Sequence, residues 1–128
     1  MPDLDRQRAA HAWKCVQSDC NEKYTNLAKS APALIMGNGL MPTLAFYQAK
    51  GKDGKDDNKA HFAKLLQDIL TWLAGQKMGG SDFVAAMKFF HSPDLKSSDY
   101  RRATEETLEL LRWIRHFAPA ISGDPAED

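Results

Sequence analysis

A chain of 128 residues fits one domain, and a domain of this size buries about two-thirds of its unfolded surface, so no second domain is needed to hold a core. Its 17 basic and 17 acidic residues cancel, which excludes a global field for drawing in nucleic acid and confines any basic surface to one face. The two cysteines, Cys15 and Cys20, give no disulfide framework; on a helix they point in different directions, so the simplest expectation is two thiols in a reducing, cytoplasmic compartment.

The polar, charged start does not read as a signal peptide. From about Leu4 to Ala28 the spacing predicts one long amphipathic helix, with Ala9, Trp13, Val16, Cys20, Tyr24 and Leu27 on one stripe. His11, Cys15 and Glu22 fall opposite. That stripe places Trp13 in the core, while Asp3 and Asp5 suit the positive end of the helix dipole. His11 and Cys15 share a face at i, i+4, but two ligands make a poor zinc site, so both are expected as exposed bystanders and no metal site is expected.

Ser30 to Ala49 carries no charged residue. A run that is apolar all round is expected to be buried all round, which makes it the central element. Its length is about that of a membrane span. Pro32, the Gly37-Asn38-Gly39 triplet, Pro42, Thr43 and Gln48 argue against one, because they break the helix or leave polar groups in hydrocarbon. Ser30-Ala31-Pro32 reads as a helix restart with Pro32 in the first turn. The triplet reads as a break that ends one helix in a left-handed cap and lets Asn38 cap the next. Beyond it, Leu40, Leu44 and Tyr47 face one way and Phe46 the other.

Residues 51–58 form a charged, glycine-containing stretch without an apolar anchor, expected to be a mobile loop. A third helix from about Asn58 to Ala74 carries Phe62, Leu65, Leu66, Ile69, Leu70, Trp72 and Leu73 on a broad apolar face, with Gly75 ending it. Met78-Gly79-Gly80 is the next break. Ser81 is then placed to cap a short helix bearing Phe83, Val84, Met87 and Phe90, which His91-Ser92-Pro93 stops.

The last helix, about Ser98 to Ala118, gathers Tyr100, Ala103, Leu110, Leu111, Trp113, Ile114 and Phe117 in one sector. Arg101, Glu105, Glu109, Arg112, Arg115 and His116 lie opposite at spacings of three and four. Glu106 falls beside Trp113 and Phe117 at the apolar edge, where a carboxylate needs partners. Two sets suggest themselves: the backbone N–H groups or Asn38 side chain at the Gly37 to Gly39 break, or Arg102 four residues earlier. Residues 123–128 read as an acidic, disordered tail on a domain of residues 1–122. Without any period-two alternation, the fold class is all-α: a single compact domain of about five or six helices packed around a central apolar helix pair.

No Cys-x-x-Cys, His-Glu-x-x-His, Gly-x-Ser-x-Gly or phosphate-loop spacing occurs. Glu105 and Glu106 point to different sectors and make no carboxylate dyad. No catalytic residue and no cofactor is expected.

Two segments together resemble a known family: Ala31-Pro32-Ala33-Leu34-Ile35 through Asn38-Gly39-Leu40 and Leu44-Ala45-Phe46, and Tyr100-Arg101-x-Ala103-Thr104-x-Glu106 through Trp113-Ile114-x-x-Phe117-Ala118. The chain is similar to the small subunit of the Cmr complex, the type III-B CRISPR effector (Cmr subunit five family), along nearly its whole length. Met41-Pro42 departs from the small or polar residues more usual there. The resemblance implies an all-α, non-enzymatic protein that stacks in a few copies beside the backbone subunits and helps form the groove holding guide and target RNA in antiviral defence. Cleavage of target RNA belongs to the backbone subunits in that family.

Carried over by position, Asn38, Gly39, Tyr100, Thr104, Glu106 and Trp113 match structural positions, and Arg101 and Arg115 match basic ones. With Arg112 they form an arginine stripe, and a guanidinium binds phosphate oxygens bidentately. Lys14, Lys50 and Lys52 are further RNA-binding candidates. For each the plainer alternative is a solvated charge, which Glu105 and Glu109 could neutralise along the stripe. Backbone contacts of this kind are independent of sequence and weaken as salt rises, so the isolated subunit is expected to bind RNA weakly. A helical adaptor binding only protein is the second reading, and a small helical enzyme, lacking any constellation, the third.

Overall fold

The computed structural model describes residues 3–52 and 58–123. Six helices account for most of them: α1 (Leu4–Val16), α2 (Glu22–Asn38), α3 (Leu40–Gly51), α4 (Ala60–Gly75), α5 (Phe83–Phe90) and α6 (Ser97–Ser122), with no strand among the described residues. The fold is all-α, as the patterning predicts. α2 is the hub, packing on α6, α4 and α3; α6 also lies along α1 and α4, and α3 rests on α4 and α5. Ile35, Leu40, Leu44, Ile69, Leu110 and Ile114 meet in the resulting core. Among the described residues no helix is long and apolar enough to cross a membrane.

The long first helix is two helices. α1 stops at Val16, Asp19 takes a left-handed φ of 55°, and the Asn21 side chain accepts the Tyr24 N–H at 2.9 Å to start α2. Asp and Asn tolerate that conformation and make good caps, so this short polar stretch favours turning over continuing. The expected stripe therefore joined residues from separate helices. On α1 the buried side is Ala12, Cys15 and Val16, while Trp13 stays 46% exposed with Phe117 edge-on at 5.4 Å. Nor are His11 and Cys15 exposed bystanders: the His11 ring packs on Trp72 with Nε2 3.1 Å from the Asp68 carbonyl, and burial pushes the Cys15 thiol up to about 12. Both cysteines are free thiols.

Three further expectations change. α2 runs through Pro32, which sits well inside the helix instead of in its first turn. The break after Asn38 is present, but Asn38 is exposed and α3 begins on Gly39 without a side-chain cap. Asp82, one residue beyond Ser81, caps α5 by accepting the Ala85 N–H at 2.8 Å, the three-residue reach that an N-cap requires. α5 ends at Phe90 as predicted, and α6 extends past Ala118 to Ser122. Most of the charged loop, residues 53–57, and of the acidic tail, residues 124–128, lies outside the described residues.

The uncharged run is not buried all round. Ala31, Ile35, Leu40, Thr43, Leu44 and Tyr47 face the core, whereas Met36 is 73% and Phe46 45% exposed, and Ala33, Pro42 and Ala45 are exposed with them. It is one buried face and one neutral outer face. Within it Tyr47 is fully buried near Phe62, its hydroxyl lacks a partner among the described residues, and burial pushes its pKa up to about 12. An unmade hydrogen bond in the core has a desolvation cost, so Tyr47→Phe is expected to leave stability unchanged or raise it by about 1 kcal/mol in urea unfolding. A loss of similar size would mean that the hydroxyl has a partner.

Candidate nucleic-acid interface

α6 is 26 residues long and buries Ala103, Glu106, Thr107, Leu110, Leu111, Ile114 and Ala118, which turns its remaining sector to solvent. Arg101, Arg112 and Arg115 all stand exposed on that sector. From Arg101 to Arg115 the helix rises about 21 Å. Arg112 reaches Glu109 at only 3.7 Å, both side chains largely in water, where such a pair contributes little. Arg101 and Arg115 have no side-chain hydrogen bond or ion pair among the described residues. The expected neutralisation by neighbouring glutamates is therefore confined to Arg112.

The lysine candidates divide. Lys14 is exposed in the last turn of α1, the helix packed along α6. Lys50 and Lys52 are exposed at the far end of α3, Lys50 with its ammonium 5.6 Å from the Phe46 ring centre. α3 touches α6 near Met41, and Lys50 lies roughly 13 Å farther along α3 from that contact.

The residues expected to be structural form two junctions. At the first, Gly39 links α2 to α3 with φ 101° and the Tyr100 hydroxyl oxygen accepts the Met41 N–H at 2.9 Å. Thr104 donates to the Tyr100 carbonyl at 3.1 Å. A cleft of about 840 Å³ opens here, with Lys96 and Arg101 among its lining residues.

The second junction is built on Glu106, and neither expected partner set supplies it. Arg8 of α1 donates twice, Nε at 2.6 Å and Nη2 at 2.8 Å, and the Trp72 indole N–H of α4 donates at 2.8 Å. Arg8 also reaches Asp5 at 3.2 Å, and Asp5 accepts the Trp113 indole N–H at 3.0 Å. One buried carboxylate thus ties α1, α4 and α6 together. Burial pushes the Glu106 carboxyl up, but the hydrogen bonds from Arg8 and Trp72 and the charge of Arg8 outweigh it and hold the pKa below its ordinary value. Glu106 in turn raises Arg8, chiefly by accepting its hydrogen bonds. Asp5 is held low first by the Trp113 hydrogen bond. Arg102 contributes only its charge, and the break at Gly39 is held by Tyr100.

Sequence reasoning missed Arg8, Trp72 and Asp5 in this network. The available signal was the need of Glu106 for a cation, yet a partner 98 residues away has no local signature.

Residues 4–121 match the family model of the CRISPR-associated protein described as Cas_Cmr5. The chain belongs to the Cas_Cmr5 family. The match runs from the first residue of α1 to the penultimate residue of α6, so both junctions and the arginine stripe lie within it. Membership makes this chain a CRISPR-associated Cmr subunit with a role in a multi-subunit complex. The earlier resemblance to that family holds.

Proposed function

We propose that this protein is the non-catalytic small subunit of a type III-B CRISPR effector, working in the cytoplasm in antiviral defence. It stacks in a few copies beside the backbone subunits and contributes a phosphate-binding strip to the groove that holds guide and target RNA. The observation that carries this reading is the stripe of Arg101, Arg112 and Arg115 on a family member's longest helix, with two of the three guanidinium groups unpaired among the described residues. Lys14 extends the strip from α1. Lys50 and Lys52, at the end of α3, remain further candidates for phosphate contact.

Co-purification with the other effector subunits and guide RNA tests the assembly, and a chain that never enters such a complex ends the assignment. Within the complex, Arg101→Glu, Arg112→Glu and Arg115→Glu together are expected to weaken target-RNA capture about tenfold or more near 0.1 M salt. They should also flatten the dependence of log affinity on log salt by about 2, as loss of three single-strand phosphate contacts predicts. Capture equal to the parent's at every salt concentration would exclude the stripe as a phosphate site.

A protein-only adaptor is favoured by a different observation, the neutral outer face of α2 and α3 around Met36, Pro42 and Phe46. Exposed Met and Phe on a face with few charges, bordered by Lys50 at Phe46, is the composition of an interface core. In the first reading the two surfaces coexist, the neutral face meeting protein and the arginine face meeting RNA.

A further inference from the structure

Four rings run in series across the α1–α6 seam. His116 and Trp113 lie 6.4 Å apart between centres, Trp113 and Phe117 5.5 Å, and Phe117 and Trp13 5.4 Å. The two ends are open: His116 is exposed and Trp13 is 46% exposed. Isolated surface hydrophobics need no explanation, but a row of rings in edge-on and tilted contact, with exposed ends, is a different feature.

Its electrostatic border separates it from the neutral face of α2 and α3. Arg112 precedes Trp113 and shares a flank of α6 with His116 at i, i+4; Lys14 follows Trp13; Arg115 precedes His116. Three acids on this side are already engaged, Asp5 by Arg8 and Trp113, Glu106 by Arg8 and Trp72, and Glu109 by Arg112. Lys14 and Arg115 are left without an acidic partner among the described residues. Aromatic rings beside a basic strip are what unpaired nucleotides require, the rings meeting the faces of bases and the cations meeting phosphates. A protein surface of ordinary apolar character would find better complementarity at Met36, Pro42 and Phe46.

We propose that His116, Trp113, Phe117 and Trp13 form a stacking surface for unpaired bases of single-stranded RNA, beside the arginines that take its phosphates. This rests on the phosphate-strip reading above. In a duplex the base faces are already covered, so the surface prefers single strands. Base identity matters little, because every base has a π-face.

The test uses the full chain at low salt and fluorescence anisotropy of a labelled oligoadenylate of about twelve nucleotides, a length within the usual single-strand site range. The unlabelled oligoadenylate, a duplex of equal length and inorganic polyphosphate are the competitors. Single strands are expected to compete at least about fivefold better than duplex or polyphosphate, and Trp13→Ala to weaken binding about five- to hundredfold, whereas Trp13→Phe stays within about threefold of the parent. Unchanged thermal unfolding of both variants shows that the fold is intact. Equal competition by duplex or polyphosphate, parent-like binding by Trp13→Ala, or no binding by the parent overturns the proposal. So does a Trp13→Ala chain that binds RNA normally yet fails to enter the effector complex, since a protein then covers the rings. If charge reversal of the three arginines lowers RNA capture by the complex while Trp13→Ala changes nothing, the strip stands and stacking falls; if neither matters, both fall.

Discussion

Glu106→Ala is expected to destabilise the fold by about 3–5 kcal/mol, read as a lowered urea midpoint with little change in slope. The magnitude follows from what is left behind. Arg8 keeps a guanidinium whose side chain is only 16% exposed, now without its bidentate acceptor, and the Trp72 indole N–H loses its oxygen in a buried site. Only the half-exposed Asp5, 3.2 Å away, is left to compensate the Arg8 charge, and a poorly compensated buried charge costs more than the net contribution of the intact pair. The double variant Arg8→Met, Glu106→Gln removes the charge while Gln keeps an oxygen for Trp72, so it should lose less than half as much as Glu106→Ala alone. A Glu106→Ala protein within about 1 kcal/mol of the parent would show that Arg8 finds water or another acid at little cost.

The same network sets a pH dependence. The folded pKa of Glu106 is depressed from its ordinary 4.5, so the unfolded chain binds the proton more readily. The stabilisation is therefore complete above about pH 4.5 and is lost as pH falls through the folded value. In Glu106→Gln this part of the acid limb should disappear, leaving a flatter fall of stability below pH 4.5 than in the parent.

What the sequence made legible follows from the range of each interaction. The faces of α3, α4 and α6 were readable because helical period and burial coincide over three or more turns: Leu40, Leu44 and Tyr47, or Leu110, Leu111 and Ile114, are buried as their spacing requires. The α1–α2 turn was not, since Trp13, Cys20 and Tyr24 continue an apparent stripe across a break made by Asp19 and Asn21. Periodicity counts positions and cannot see that the axis has changed direction. Of the candidate site, the arginine stripe was visible because its spacing lies within one helix. Glu106 was recognised as needing partners but assigned the wrong ones, because local geometry offers Arg102 whereas the fold delivers Arg8 and Trp72. Trp13 was read as core for the same reason, which hid the ring series from the sequence.

At the α2–α3 junction two glycines two residues apart should respond with opposite sign. Gly39 holds φ 101° and ψ 160°, a region essentially reserved for glycine, so Gly39→Ala is expected to cost about 1–3 kcal/mol. Both of its backbone polar groups are committed: the N–H donates to the Ile35 carbonyl at 2.7 Å, and its carbonyl accepts from the Thr43 hydroxyl at 2.8 Å. Relaxing the backbone to a conformation that alanine accepts would sacrifice those bonds and move Met41 away from Tyr100. A Cβ there would also meet Pro42 Cδ at 3.4 Å, so the strain is conformational more than steric. Gly37 lies within α2, and a Cβ built on it meets nothing within 4 Å. Gly37→Ala should therefore stabilise by about 0.4–1 kcal/mol, through higher helix propensity and a less flexible unfolded chain. Urea unfolding of the two variants side by side decides the matter. If both lower the midpoint equally, the junction is strained along the whole triplet; if neither does, the left-handed link at Gly39 is not a fixed feature of the fold.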